Sequence, residues 1–220
     1  MSVSLKPKRK PVTLRVELDG QSVELPRQME NSLVAIRAYL EFLALQQRRV
    51  LSGFLVDGME VQQISGEAPT NGYRLIRADS ISFEQLSRRL IGTACRQVRF
   101  LASQLEEATL RVLISDHGQI LARWQEWLPQ FRSPLVSLGF LRELWGDRVD
   151  DLHLGGISLV SHLDLLNPAL SRVDSVLLDS QYDWQPDDAI ALSAILEDDL
   201  VPWLKVLEVY LLKLDQQPLP

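Results

Sequence analysis

Asp150-Asp151-Leu152-His153, with His162 nine residues beyond the first histidine and Asp164 just after it, holds the residue types that could do chemistry in this chain. Imidazoles and carboxylates ligate metal ions and act as general bases. Their spacing does not build such a site by itself. Nine residues along one helix turn the two histidines to opposite faces, and Gly155-Gly156 interrupts any helix between them. Three motifs whose spacing carries a mechanism are missing: His-Glu-x-x-His, Gly-x-Ser-x-Gly and the phosphate-binding glycine loop. Cys95 is the one cysteine, which excludes an intrachain disulfide and a four-cysteine zinc or iron–sulfur centre. With no histidine near it in sequence, it reads as a structural thiol. The acidic clusters Asp187-Asp188 and Glu197-Asp198-Asp199 fall where helices are expected to start, favoured there by the positive end of the helix dipole. No catalytic, cofactor-binding or metal-ligating residue is assigned. An enzyme working around His153 and His162 stands as an alternative reading.

The elements that must position these groups come from 220 residues, enough to bury a core in one large domain or two small ones. With 46% apolar and 24% charged residues, the composition is that of a globular chain rather than a disordered one. No apolar run reaches the roughly 18 residues of a membrane helix. The basic start, Met1 to Pro11, leads into no apolar stretch, so no secretory signal is expected and the location read is cytoplasmic. Residues 1–111 carry 16 basic and 12 acidic side chains, a net of +4, whereas residues 112–220 carry 7 and 17, a net of −10. A basic surface and an acidic one are expected to meet. Lys6, Lys8, Arg9 and Lys10 are the densest basic stretch, and residues 1–11 read as a flexible tail.

Val12 to Leu18 alternates apolar and polar residues, the period of a half-buried strand. Asp19-Gly20 then supplies a two-residue hairpin turn, which sets Val16 opposite Val23 and Leu14 opposite Leu25. Pro26 ends the second strand. A helix fits Ser32 to Arg48, capped by Asn31 or Ser32, with Leu33, Ile36, Leu40, Leu43 and Gln47 on one stripe. Val50 to Val56 reads as a strand, Asp57-Gly58 turns it into Met59 to Val61, and Tyr73 to Arg77 is the last strand after a loop containing Gly66, Pro69 and Asn71.

This element order, with its two Asp-Gly turns, resembles the ubiquitin-like β-grasp topology over residues 12–78. The resemblance implies protein modifiers, sulfur carriers, electron carriers or interaction modules. Modifiers and sulfur carriers act through a free Gly-Gly terminus, which this strand lacks because it runs on into more protein, and the electron carriers need four cysteines. An interaction module or structural platform is what the resemblance leaves.

The rest of the chain, residues 82–217, reads as a helical domain packed against the sheet, joined through only Ala78 to Ile81. Ser82-Phe83-Glu84-Gln85 is a capping box opening a helix to Ile114. Its apolar arc holds Phe83, Leu86, Leu90, Ala94, Val98, Leu101, Leu105, Ala108 and Val112, with Arg88, Arg89, Arg96 and Arg99 opposite. Ile120 to Phe131 is expected to form a second helix disturbed at Pro129, and Ser133-Pro134 to open a third ending at Trp145. Asn167-Pro168 and the surroundings of Pro186 repeat that start signal. Leu200, Leu204, Leu207, Leu211 and Leu214 form a heptad-like seam, widened by Trp203, Val206 and Tyr210, that reads first as core and second as a dimer seam.

The fold expected is α+β: a β-grasp-like small mixed sheet with one helix, then a mostly α-helical bundle. The leading functional expectation is a non-enzymatic interaction protein, an adaptor or assembly factor. Its expected partner is another protein, or a second copy through the C-terminal helix; no cofactor and no membrane partner are expected. Nucleic-acid binding through the basic tail and the arginine face is a further alternative, opposed by the acidic C-terminal half.

Overall fold

A computed structural model describes residues 14–30, 32–61 and 72–217. The expected basic tail over 1–11, Val12 in the first strand, the Asn31 cap and the loop around Gly66, Pro69 and Asn71 lie outside these residues. The chain is mixed α and β, with a five-stranded sheet followed by helices, and it divides into two compact units, residues 1–86 and 87–220.

In the first unit, β1 (Arg15–Leu18) buries Val16 and Leu18 and turns at Asp19-Gly20 into β2 (Gln21–Ser22). Both turn residues have positive φ, +51° and +79°, as this hairpin requires. Leu18 pairs with Gln21, and the Val23 N–H donates to the Val16 carbonyl at 2.8 Å, the register expected from the alternation. Helix α1 (Leu33–Gln46) is capped by the Ser32 hydroxyl and buries Leu33, Ile36, Leu40 and Ala44. Gln47 is its exposed C-cap rather than part of the inner stripe. Strands β3 (Arg49–Val56), β4 (Met59–Glu60) and β5 (Leu75–Ser82) complete the sheet in the order β2-β1-β5-β3-β4, with β1 and β5 parallel.

The aspartates of both hairpin turns reach across to the central strand. Asp57 Oδ1 accepts the Leu75 N–H at 2.8 Å at one end of β5, and Asp19 Oδ1 accepts the Ser80 N–H at 2.7 Å near the other. Residues 78–81, expected as a connection, are therefore strand, and β5 runs past the expected end of the sheet at residue 78. Val50 pairs with Ile81, and Arg49 donates to the Ser80 hydroxyl and carbonyl, so pairing partners hold this stretch extended. The Ser82–Gln85 capping box then opens the next helix, as its sequence predicts.

In the second unit the long helices bury side chains at three-and-four stepping. Helix α2 (Phe83–Val112) buries Ile91, Ala94, Val98, Leu101, Leu105, Ala108 and Val112, steps of three and four. At its start the inward positions are Ser87 and Ile91, one residue on from the expected Leu86 and Leu90, which are half-buried. Helix α3 (His117–Trp145) overturns the expected break: it is one helix, with Pro129 and Pro134 inside it. Ile120, Trp124, Trp127, Phe131, Pro134, Leu138, Leu141 and Trp145 form an unbroken buried seam through both prolines. An interior proline costs about 3 kcal/mol, whereas each large side chain buried contributes about 1.5–3 kcal/mol. The seam on either side outweighs the local penalty.

A short 3-10 turn (Gly146–Arg148) leads to a tight hairpin, β6 (His153–Leu154) and β7 (Ile157–Ser158), folded at Gly155 and Gly156 with φ +58° and +87°. Helices α4 (Leu159–Asp164), α5 (Leu166–Asp179) and α6 (Pro186–Ala194) follow. Pro168 lies in the first turn of α5, one of the positions whose N–H would have no helical partner anyway. Pro186 is the first residue of α6, behind a capping box of Gln185 and Asp188.

Residues 195–200 form a π-helical turn running directly into α7 (Val201–Asp215). Glu197-Asp198-Asp199 is thus not a helix start. Pro202 offers no N–H and its ring crowds the carbonyl four residues back, and the wider turn, in which the Val201 N–H reaches the Leu196 carbonyl, absorbs it. The leucine seam of Leu200, Leu204, Leu207, Leu211 and Leu214 is wholly buried in the core of this unit.

Candidate functional site

His162 leaves the expected cluster first. Its ring stacks on the Trp203 indole, centroids 5.3 Å apart and 12° from parallel, and Nε2 lies 2.9 Å from the Trp203 carbonyl. The Trp203 indole N–H donates back to the His162 carbonyl at 2.8 Å. This reciprocal lock joins α4 to α7 and places the imidazole in the core. Burial lowers its pKa, against the opposing pull of the Trp203 carbonyl, so the ring is neutral at pH 7. His153 is exposed on β6, its Nδ1 2.8 Å from the Asp151 carbonyl of its own loop. No group of three His, Cys, Asp or Glu residues among those described is arranged to hold a metal ion. Cys95 is buried in the core, which raises its thiol pKa.

The arginines of α2 meet carboxylates inside the second unit. Arg99 forms an ion pair with Glu208, and Arg88 lies 3.6 Å from Asp215, both on α7. Arg96 donates to the Thr93 hydroxyl of its own helix, and Arg89 is exposed. Asp199, in the acidic run of the π-helical turn, pairs with Arg172 of α5 at 2.6 Å.

Asp150 and Asp164 do come together, in a groove the sequence reading missed. Its volume is about 380 Å³. One wall is α3, through Leu135, Leu138, Gly139 and Arg142; the other is α4 and the start of α5, through Val160, Leu163, Asp164 and Asn167. Val149, Leu159 and Leu166 close it from inside. Arg142 and Asp150 form a 2.6 Å ion pair at the groove, so the lining is apolar with a few polar groups. Of the apolar residues that line it, Val160 on α4 is exposed. Gly139 opens the α3 wall: a Cβ added there meets no atom within 4 Å. The signal present in the sequence was the surplus of apolar residues on these helices, Leu135 beside the α3 seam and Val160 and Leu163 on α4, which a core-first reading absorbs into the bundle.

No helix among the described residues is long and apolar enough to cross a membrane. No protein-family model, curated protein or solved structure matches this chain.

Proposed function

We propose that this chain is a non-enzymatic interaction protein, an adaptor or assembly factor, whose second unit receives a protein segment in the groove between α3 and α4. The observation that carries the reading is the groove itself: a largely apolar lining that leaves Val160 exposed, with Arg142, Asp150 and Asp164 at its polar part. Exposed apolar surface gathered around a concavity and edged by polar groups is the usual form of a protein-recognition patch. For the first unit we infer a β-grasp-like platform. The order β2-β1-β5-β3-β4, with β1 and β5 parallel at the centre and α1 between β2 and β3, supports that reading.

The test is a photo-crosslinking amino acid placed at Leu135, at Val160 and, as a control, at Asp187, with the full chain in its own cell. One discrete adduct shared by the two groove positions and missing at Asp187 is expected. No adduct, or equal labelling at all three, overturns the proposal. An adduct at twice the chain mass makes the partner a second copy. Because the leucine seam is buried, α7 would then contribute its outer face, whose exposed apolar residues include Val206, Val209 and Leu212.

A further inference from the structure

We infer that the occupant of this groove is a basic amphipathic helix, about two turns of which make the contact; the inference rests on the reading of the groove as a protein-binding surface. Three observations select that chemistry. The α3 wall from Leu135 to Arg142 is two helical turns, about 10 Å long, which matches a helical segment presenting apolar side chains at i, i+4 and i+7. The α3 wall is apolar at Leu135 and Leu138 and becomes charged only at Arg142, and at Gly139, between Leu138 and Arg142, the backbone carries no side chain, with open space where a Cβ would stand.

Charge sets the sign. Among the residues that line the groove, one arginine, Arg142, stands against two carboxylates, Asp150 and Asp164, a net of −1. Arg142 is already held by Asp150, and Asp164 lines the groove with no ion pair among the described residues. A lysine or arginine beside the apolar stripe of the incoming helix meets Asp164; a glutamate there is repelled.

The experiment measures fluorescence anisotropy of two labelled amphipathic peptides of about 14 residues, four turns each, one of leucine and lysine and one of leucine and glutamate. They are titrated with the full chain, with Gly139→Trp and with Asp164→Lys. Gly139→Trp adds a bulky side chain to the groove wall at a position where a Cβ meets nothing within 4 Å, and it replaces a helix-weakening residue. Should it lose its cooperative melt, Val160→Gln at an exposed position takes its place. The lysine peptide is expected to bind at least about tenfold tighter than the glutamate peptide in low salt, with the gap narrowing in 0.5 M NaCl. Gly139→Trp should reduce that binding at least about tenfold, and Asp164→Lys about three- to fivefold, the range of one exposed ion pair. Equal binding of both peptides, lost in Gly139→Trp, overturns the basic partner while the groove stands. Binding of neither peptide, or binding indifferent to Gly139→Trp and Val160→Gln, overturns the groove reading and this inference with it.

Discussion

At His162 a titratable group has been recruited to hold helices together. Its pKa is lowered, so between that value and the ordinary 6.5 the unfolded chain binds more protons than the folded one. Stability from this residue is fully present above about pH 6.5 and falls as the pH drops below it, by at most about 1.4 kcal/mol per unit. Thermal melts from pH 8 to pH 5 should show this decline, and His162→Gln should flatten the part of it between 6.5 and 5; an unchanged slope would mean another group titrates. Asp19 has the carboxylate version of the same linkage. Burial works to raise its pKa, but two hydrogen bonds from Ser80 and the Arg49 charge outweigh it, and the net shift is downward. Its contribution is present above about pH 4 and is lost as the pH falls through the lowered folded value. Gln104 lies at the other extreme: its Oε1 is buried without a partner. An unpaired buried acceptor costs about 1–3 kcal/mol, so Gln104→Leu should raise the unfolding midpoint in urea; a fall would show that the amide has a partner after all. None of these three environments could be read from residue type alone. A histidine, an aspartate and a glutamine look the same in sequence whether they face a carbonyl, a serine or nothing.

Elements were legible where local chemistry and periodicity agree. The Asp19-Gly20 hairpin, the Ser82–Gln85 cap and the α7 leucine seam are such cases. They were misread where a local rule and a long repeat conflict. Pro129 and Pro134 argued for a break in α3, but the seam from Ile120 to Trp145 keeps its three-and-four stepping through both. The inward Ser87 was missed because a polar residue does not count toward an apolar arc, yet it accepts the Trp145 indole N–H at 2.8 Å in the core. Ser87→Ala should therefore cost about 1–3 kcal/mol, because it leaves that donor buried and unpaired. Leu207→Ala, in the middle of the buried α7 seam, should cost about 2–5 kcal/mol. Chemical denaturation measures both; a Ser87→Ala protein as stable as the parent would mean the indole finds another acceptor. The groove escaped notice for a related reason. An apolar residue beside a seam reads as core, and only the packing of α3 against α4 decides whether it is covered.

On the scale of the whole molecule, the charge boundary near residue 111 does not coincide with the division of the structure at residues 86 and 87. Much of the sequence asymmetry is internal to the second unit, where charged side chains of α2 meet opposite charges on α7. Arg88–Asp215, Arg99–Glu208 and the 2.6 Å Lys205–Glu106 pair tie these two helices together along their length. The cationic side chains of all three pairs are more than half exposed. Such pairs contribute about 0–1 kcal/mol each, against about 1.5–3 kcal/mol for each fully buried leucine of the α7 seam. Apolar burial therefore carries the joint, and the ion pairs select which faces meet. Salt separates the two contributions, because it screens exposed pairs and leaves buried leucines untouched. It also screens the mutual repulsion of the acidic C-terminal half, which offsets part of the loss. For a chain of this size about 1 kcal/mol corresponds to 2–4 °C. The three pairs together contribute at most about 3 kcal/mol, so raising NaCl from 0.05 to 1 M should lower the melting temperature by no more than about 12 °C. A fall of more than about 15 °C would mean that the ion pairs, not the seams, hold the helices in place.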